Sequence, residues 1–437
     1  MQSTLDHPSG APAPSKLLFV HSGSPKKRLT FEAATSIGIQ VYLFNPEPNW
    51  AVEHAQRCFF TRGKTLAEVV AEAEALHRRE PLGGVVTFWE EDVPTTALIA
   101  RRLGLPGNSL AAAFNARSKY RMRRALERAG VPVPRFAAVD STRSLLAACK
   151  HVGVPAILKP EWGSDSEWVA RVNSPQQALE VLAAIRRRVR VQDCIYPYRT
   201  GRFVLEGLLR GPEVSVEGVV QQGKVTLYAI IDKAKMDEMT FIERGECTPS
   251  LLPAAVQEEI AQMVRRGVAA LGLRNSGIHA EVKVTEHGPR IVEIGARMGG
   301  DCIHALVKRV YGTDLAVESI RVALGLPVQA PQPAQGYALS RTLVPEQAGR
   351  VYYRQERALR RSPHLIEVVL TKRPGDRVAL PPEGYDNLAW VSVWGRSFRE
   401  AEKRLEERAA RLEESFHIEP EEHQSAVAAA AAPVAHL

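Results

Sequence analysis

At 437 residues, 45% of them apolar and 24% charged, the chain is too long for a single core and too evenly mixed for bulk disorder. Its formal charge of +8 and isoelectric point near 9.3 favour anionic partners, either nucleotide or nucleic acid. No stretch approaches the roughly 20 apolar residues of a membrane span, and the opening MQSTLDHPSGAPAPS lacks the basic-then-apolar order of a signal peptide. A cytoplasmic protein with no membrane partner is expected.

The cysteines Cys58, Cys149, Cys194, Cys247 and Cys302 are odd in number and never form a CxxC pair, so they read as free thiols or small core residues. Two basic runs, RSKYRMRR (117–124) and RRRVR (186–190), have no interleaved aromatic platform. They read as solvated helix faces or as part of a nucleotide pocket rather than as a nucleic-acid platform.

In chain order, residues 1–15 form a loose tail, then KLLFVHSG (16–23) reads as a buried strand, residues 28–37 as a helix and QVYLFN (40–45) as a second strand. The helical run LAEVVAEAEALHRR (66–79) and the strand GGVVTFW (83–89) complete an open α/β unit, which has no GxGxxG fingerprint. A helix follows over about 116–129, ended by Gly130 and Pro132. Strands and helices then alternate to about Leu326, where PVQAPQPAQG (327–336) marks a boundary. Beyond it HLIEVVLTK (364–372), LAWVSVWG (388–395) and a charged helix over 397–415 suggest a separate α+β domain, and the last residues form a second tail.

The segment IHAEVKVTEHGPRIVEI (278–294) has the alternation of a β-hairpin. A three-residue loop, Glu286 to Gly288, pairs Thr285 with Pro289 and sets Glu281 directly opposite Glu293. Facing carboxylates repel unless a cation lies between them, and magnesium takes such oxygen ligands beside substrate phosphates. The alternative is a wet sheet face. The run GARMGGD (295–301) then brings three glycines, one cation in Arg297, and Asp301 as a candidate helix cap.

Upstream, AILKPEWGSDS (156–166) is a strand bearing Lys159 before a loop of Gly163, Ser164, Asp165 and Ser166, a setting in which lysine and backbone amides meet phosphate. FVLEGLLRGPEVSVEGVV (203–220) reads as two strands about Gly211-Pro212. Within it Glu213 is a candidate for ribose hydroxyls, and the backbone around Gly207 and Leu209 for an adenine edge. His279 shares a face with Glu281 and Lys283 and is a candidate to contact substrate or deprotonate an amine. The segment 230–250, with Met236, Met239 and Phe241, is expected to border the carboxylate pocket.

This set of residues, in this order, resembles the ATP-grasp superfamily, and most closely its carboxylate-amine ligases of the L-amino-acid ligase type. The resemblance covers residues 16–326 and is strongest over 278–301. It implies an α/β and α+β architecture of three domains: an N-terminal Rossmann-like open parallel-sheet domain (16–115), an ATP-grasp domain (116–326) with a mobile lid near 151–205, and a C-terminal α+β domain (327–417), followed by a flexible tail (418–437). It implies Lys119 as the first lysine, Lys159 as the second, Glu206 through Glu213 as the hinge that holds adenine and ribose, Glu281 and Glu293 as magnesium ligands, and Arg297 as the phosphate-side cation.

The chain departs from the family in having Gly295 where a further ligand often stands, which implies a two-carboxylate site. It also departs in its loop GSDSEWV, where Asp165, Glu167 and Trp168 replace the usual glycines. The resemblance implies ATP with Mg2+, or Mn2+ in its place, and small-molecule carboxylate and amine substrates joined through an acyl phosphate. A homodimer is an open expectation. The rival readings are a biotin-carboxylase-like or D-alanine-ligase-like enzyme and an ATP-binding sensor without chemistry.

Overall fold

The computed structural model describes residues 15–164, 168–188, 201–234, 243–354, 364–380 and 386–420. The chain begins with β1 (Lys16–Val20), α1 (Arg28–Ser36), β2 (Gln40–Asn45), β3 (Arg57–Phe60), α2 (Leu66–Arg79), β4 (Gly84–Val86) and α3 (Val93–Arg102). The strands form a parallel sheet in the order β3-β2-β1-β4. Leu17, Leu18, Leu43 and Phe44 are fully buried because helices cover both faces, which is why these strands read as unbroken apolar runs. Thr65 and Glu68 close a reciprocal capping box that starts α2 where the periodicity placed it.

The single helix expected over 116–129 is two, α4 (Leu110–Arg117) and α5 (Lys119–Arg128). Ser118 between them is extended, and its Oγ accepts from Arg121 N at 3.1 Å, so a capping serine breaks a run whose composition alone favours a continuous helix. Next come β5 (Phe136–Val139), α6 (Thr142–Val152), β6 (Ala156–Pro160), β7 (Ala170–Val172), α7 (Pro175–Arg188) and β8 (Phe203–Gly207). Their strands form a small antiparallel sheet, β5-β8-β6-β7.

The chain then crosses into a larger sheet through β9 (Glu213–Gln221), β10 (Lys224–Lys233) and β11 (Gly245–Thr248). The helix α8 (Ala254–Leu271), the hairpin β12 (Asn275–Thr285) and β13 (Gly288–Gly295), and the helices α9 (Ile303–Tyr311) and α10 (Leu315–Ala323) follow. The two strands about Gly211-Pro212 thus lie in different sheets, and residues 208–212 are a crossing rather than a turn within one meander.

The last region holds β14 (Tyr337–Leu343), β15 (Gly349–Tyr353), β16 (Leu365–Leu370), β17 (Arg377–Val378), β18 (Ala389–Gly395), α11 (Phe398–Ser415) and β19 (Phe416–Glu419). Its strands do not form a sheet of their own alone. Because β11 pairs with β14, the large sheet runs β13-β12-β9-β10-β11-β14-β18-β16 straight across the Pro-rich boundary. Strands β17, β15 and β19 make a separate small sheet, and α11 packs on β14 and β18 through Ala401, Leu405 and Leu412. No helix among the described residues is long and apolar enough to cross a membrane.

Candidate active site

The hairpin places Glu281 opposite Glu293, but by a different route from the one expected. Thr285 pairs with Gly288, so the loop has two residues, and that register alone would set Glu281 against Val292. A bulge after Ile291 inserts one residue and restores the carboxylate pair to one face. Gly288, at φ 86°, supplies the left-handed position that the tight turn needs.

Each carboxylate meets a different lysine. Lys119, at the first turn of α5, donates from Nζ to Glu293 Oε1 at 3.1 Å and to the Gly163 carbonyl at 2.8 Å, tying the loop after β6 to the hairpin. Lys159 on β6 pairs with Glu206 on β8 at 2.9 Å. Arg123, about one turn beyond Lys119, donates to Glu206 Oε2 at 3.0 Å and to the Val292 carbonyl at 2.8 Å. Burial opposes the charge on Glu206, but Arg123 and Lys159 overcome it and hold the carboxyl at about 2. Burial pushes Lys159 below the usual lysine range in spite of Glu206. The Glu206 side chain is therefore an internal anchor for two cations. The backbone of Gly207 is occupied as well, its N–H donating to the Arg135 carbonyl at 2.9 Å. Leu209 is half-buried in the crossing, Gly163 and Ser164 are half-buried at the start of their loop, and Ser166 lies outside the described residues, as do Met236, Met239 and Phe241.

Glu281 belongs to a second cluster. Lys233, at the end of β10, donates to Glu213 at 3.1 Å, Glu243 at 2.5 Å and Glu281 at 2.6 Å. Oxygens of these three glutamates lie within 4.8 Å of one another, a spacing that could hold a cation, and the Lys233 ammonium stands among them. Burial disfavours that ammonium, yet Glu243, Glu281 and Glu213 keep it well above the ordinary lysine value. Burial likewise works against Glu281, while Lys233 and His279 hold it well below the carboxylate range. Glu243 is pushed up to about 7 by burial, the Lys233 charge notwithstanding. Glu213 is further held by Lys283 at 3.0 Å, so this candidate for ribose hydroxyls lies between two lysines.

His279 Nδ1 is 2.6 Å from Glu217 Oε1, and its Nε2 is 3.7 Å from Glu281. Burial opposes its charge, but Glu217 and Glu281 push its pKa up to about 10. The ring thus lies between two carboxylates, both of which favour its charged form. Glu217 is fully buried and also accepts from Gly299 N at 3.0 Å. A Cβ on Gly299 would lie 2.9 Å from that carboxylate, which is why the loop after β13 is glycine there.

Arg297 is held from the first domain. Its Nε is 2.6 Å from Glu90 Oε2, and its Nη1 donates to the Met298 carbonyl at 2.9 Å. Glu90 and Glu91 also pair with the fully buried Arg117. Burial works against Glu90, but Arg297 and then Arg117 keep it ionised. Asp301 does not cap α9: the cap position falls on Cys302, with no side-chain bond, and Asp301 takes φ 44°.

The basic run 117–124 is thus largely internal, since Arg117, Lys119 and Arg123 face carboxylates. Composition left the run open between a solvated helix face and a nucleotide pocket, and the partners on distant elements show these three side chains turned inward. Glu217 left a clearer sign, because EVSVEG alternates polar side chains at 213, 215 and 217 on one strand face. Lys233, Glu243 and Glu90 carried no comparable pattern.

Residues 31–107 match the model of the ATP-grasp N-terminal domain, residues 152–305 that of the ATP-grasp domain, and residues 341–415 that of L-amino acid ligase C-terminal domain 2. The chain is 29% identical over 334 residues to carnosine synthase 1 of Gallus gallus, a match that covers 72% of this chain and 36% of that protein. It is 28% identical over 269 residues to alanine–anticapsin ligase of Bacillus subtilis (strain 168), covering 57% and 55% of the two chains. The chain therefore spans well under two thirds of these curated relatives. The fold is that of L-amino acid ligase from Bacillus licheniformis, with a TM-score of 0.79 at 21% identity over 94% of this chain and 100% of that one. With all three of its regions matched in order, the chain belongs to the ATP-grasp superfamily and carries the C-terminal domain of the L-amino acid ligases.

Proposed function

We propose that the protein is an ATP-dependent ligase that joins the carboxylate of one small molecule, an amino acid or a related acid, to the amine of another through an acyl phosphate. The observation that carries this reading is the pairing of two opposite charge environments on one face. Lys119, Lys159 and Arg123 gather where phosphates would lie, and Glu281 and Glu293 face each other beside them. The likeness to a carnosine synthase and to an alanine–anticapsin ligase supports amide formation over carboxylation or sensing.

The donor set fits a hard divalent cation. Glu281 and Glu293 retain 24% and 21% side-chain exposure, and the ion pairs named above engage only Oε1 of each. Mg2+, or Mn2+ in its place, would supply charge neutralisation of phosphate oxygens there. Arg297, fixed by Glu90, offers a preorganised cation to a developing oxyanion without moving to meet it. Lys119 and Lys159 would exchange their carboxylate partners for nucleotide phosphates. His279 orients Glu281 through its fixed charge. The test is ATP-dependent phosphate release across pairs of amino acids, with mass detection of the product. Release that requires a carboxylate and an amine together supports a ligase. Bicarbonate-dependent release, or nucleotide binding without release under any pair, overturns it.

A further inference from the structure

Glu217, in the middle of β9, is fully buried, and a carboxylate persists in such a place only with partners for its oxygens. It alternates with Glu213 and Ser215 along the strand and lies opposite His279 on β12 by register. Each oxygen has its own partner. Oε1 is 2.6 Å from His279 Nδ1, and Oε2 accepts from Gly299 N at 3.0 Å.

Both contacts lead onward to groups of the site. The Gly299 N–H and the Met298 C=O belong to one planar peptide unit and point to opposite sides of the chain. That carbonyl accepts from Arg297 Nη1 at 2.9 Å. The bond to Glu217 therefore fixes the peptide plane on which the Arg297 guanidinium rests, while Glu90 holds its Nε. The loop also lies close on the sheet. A Cβ at Gly299 would stand 2.9 Å from Glu217 Oε2, and one at Gly277 on β12 would stand 2.7 Å from Met298 N, so glycine at both positions is what lets the loop settle there. On the other branch His279 carries the link to Glu281, with its Nε2 3.7 Å from Glu281 Oε1.

We propose that Glu217 is a positioning residue that ties the two sides of the site together: it sets the Arg297 guanidinium through the Met298–Gly299 peptide and the Glu281 carboxylate through His279. The inference rests on the ligase reading for the roles of Arg297 and Glu281, but its metal-side branch can be measured without turnover. Glu217 itself touches neither the nucleotide nor the metal in this arrangement. It acts by denying two groups the freedom to turn away, as the outer partners of metal ligands and oxyanion donors do.

The experiment compares the full chain with Glu217→Leu, which fills similar space and accepts from neither partner. Two quantities are read at a temperature where both proteins are folded: Mn2+ affinity beside a non-hydrolysable ATP analogue, from the electron paramagnetic resonance signal of free Mn2+, and the kinetics of phosphate release. Mn2+ binding is expected to weaken by about 10-fold or more, and kcat to fall by a similar factor with KM for ATP within a few-fold of the parent. Should Glu217→Leu fail to fold, Glu217→Gln decides: its NH2 end cannot accept, so one link breaks and one of the two quantities falls by that factor. Mn2+ affinity and kcat both within a few-fold of the parent, whatever the drop in Tm, overturn the proposal and leave Glu217 a structural strut. A loss confined to one quantity in Glu217→Leu overturns the link to the other group. A parent that binds Mn2+ and the analogue but releases no phosphate with any pair removes the ligase reading, and the Mn2+ comparison alone then decides Glu217. A parent that binds no Mn2+ beside the analogue overturns the metal site and the positioning role with it.

Discussion

Two buried charge clusters flank the β12–β13 hairpin and have opposite composition. On the β6–β8 side, one carboxylate, Glu206, holds two cations, Lys159 and Arg123. On the β10–β12 side, one ammonium, Lys233, is held by three carboxylates. A buried charge is tolerated only when paired, so each cluster is built close to balance. The surplus left in each decides what it attracts: the first suits phosphate and the second suits a metal or an amine. The hairpin carboxylates bridge them, with Glu293 on Lys119 and Glu281 on Lys233.

The sharpest way to break this division is at the bridge. Glu293→Gln is expected to lower ATP-dependent phosphate release by more than the about 10–100-fold typical of an outer-shell partner, with the unfolding transition retained. Activity within a few-fold of the parent would remove Glu293 from the metal site.

Lys233→Met leaves three carboxylates without their cation and is expected to cost about 3–5 kcal/mol in metal-free buffer. Added Mg2+ should recover more of that loss in the variant than it adds to the parent, as read by Tm. An equal Mg2+ response in both proteins would mean that the cluster does not take the ion.

Acid should separate the clusters. The carboxyl of Glu206, held at about 2 against an ordinary value of 4.5, contributes about 3 kcal/mol. Because its folded-state value is depressed, that stability is complete above about pH 4.5 and is lost as pH falls towards 2. Urea unfolding from pH 6 to pH 2.5 should therefore show a shallower decline in Glu206→Gln than in the parent. Parallel curves would place the acid sensitivity elsewhere.

The smallest expected effect lies outside both clusters. Thr65→Ala removes the cap of α2 and should cost about 1 kcal/mol with phosphate release unchanged, giving a baseline for purely structural loss.

Much of the fold was legible because its signals are local. QVYLFN and the 66–79 helix fall on β2 and α2 residue for residue, since an apolar run and a capped 3.6-residue period each act within their own segment. The carboxylate pair was also legible, although Glu281 meets Glu293 through a bulge that no local pattern announces. The break at Ser118 was hidden because serine both caps helices and sits within them.

The sequence by itself determined the strands, the helices, the acids and lysines available for the site, and a family resemblance that the domain matches bear out. Tertiary structure alone decided which charges neutralise which. Arg123 and Glu206 are 83 residues apart, Lys119 and Glu293 are 174 apart, and Glu90 reaches Arg297 from another domain. Electrostatic pairing depends on distance in space and on burial, and neither is written in the spacing of residues along the chain.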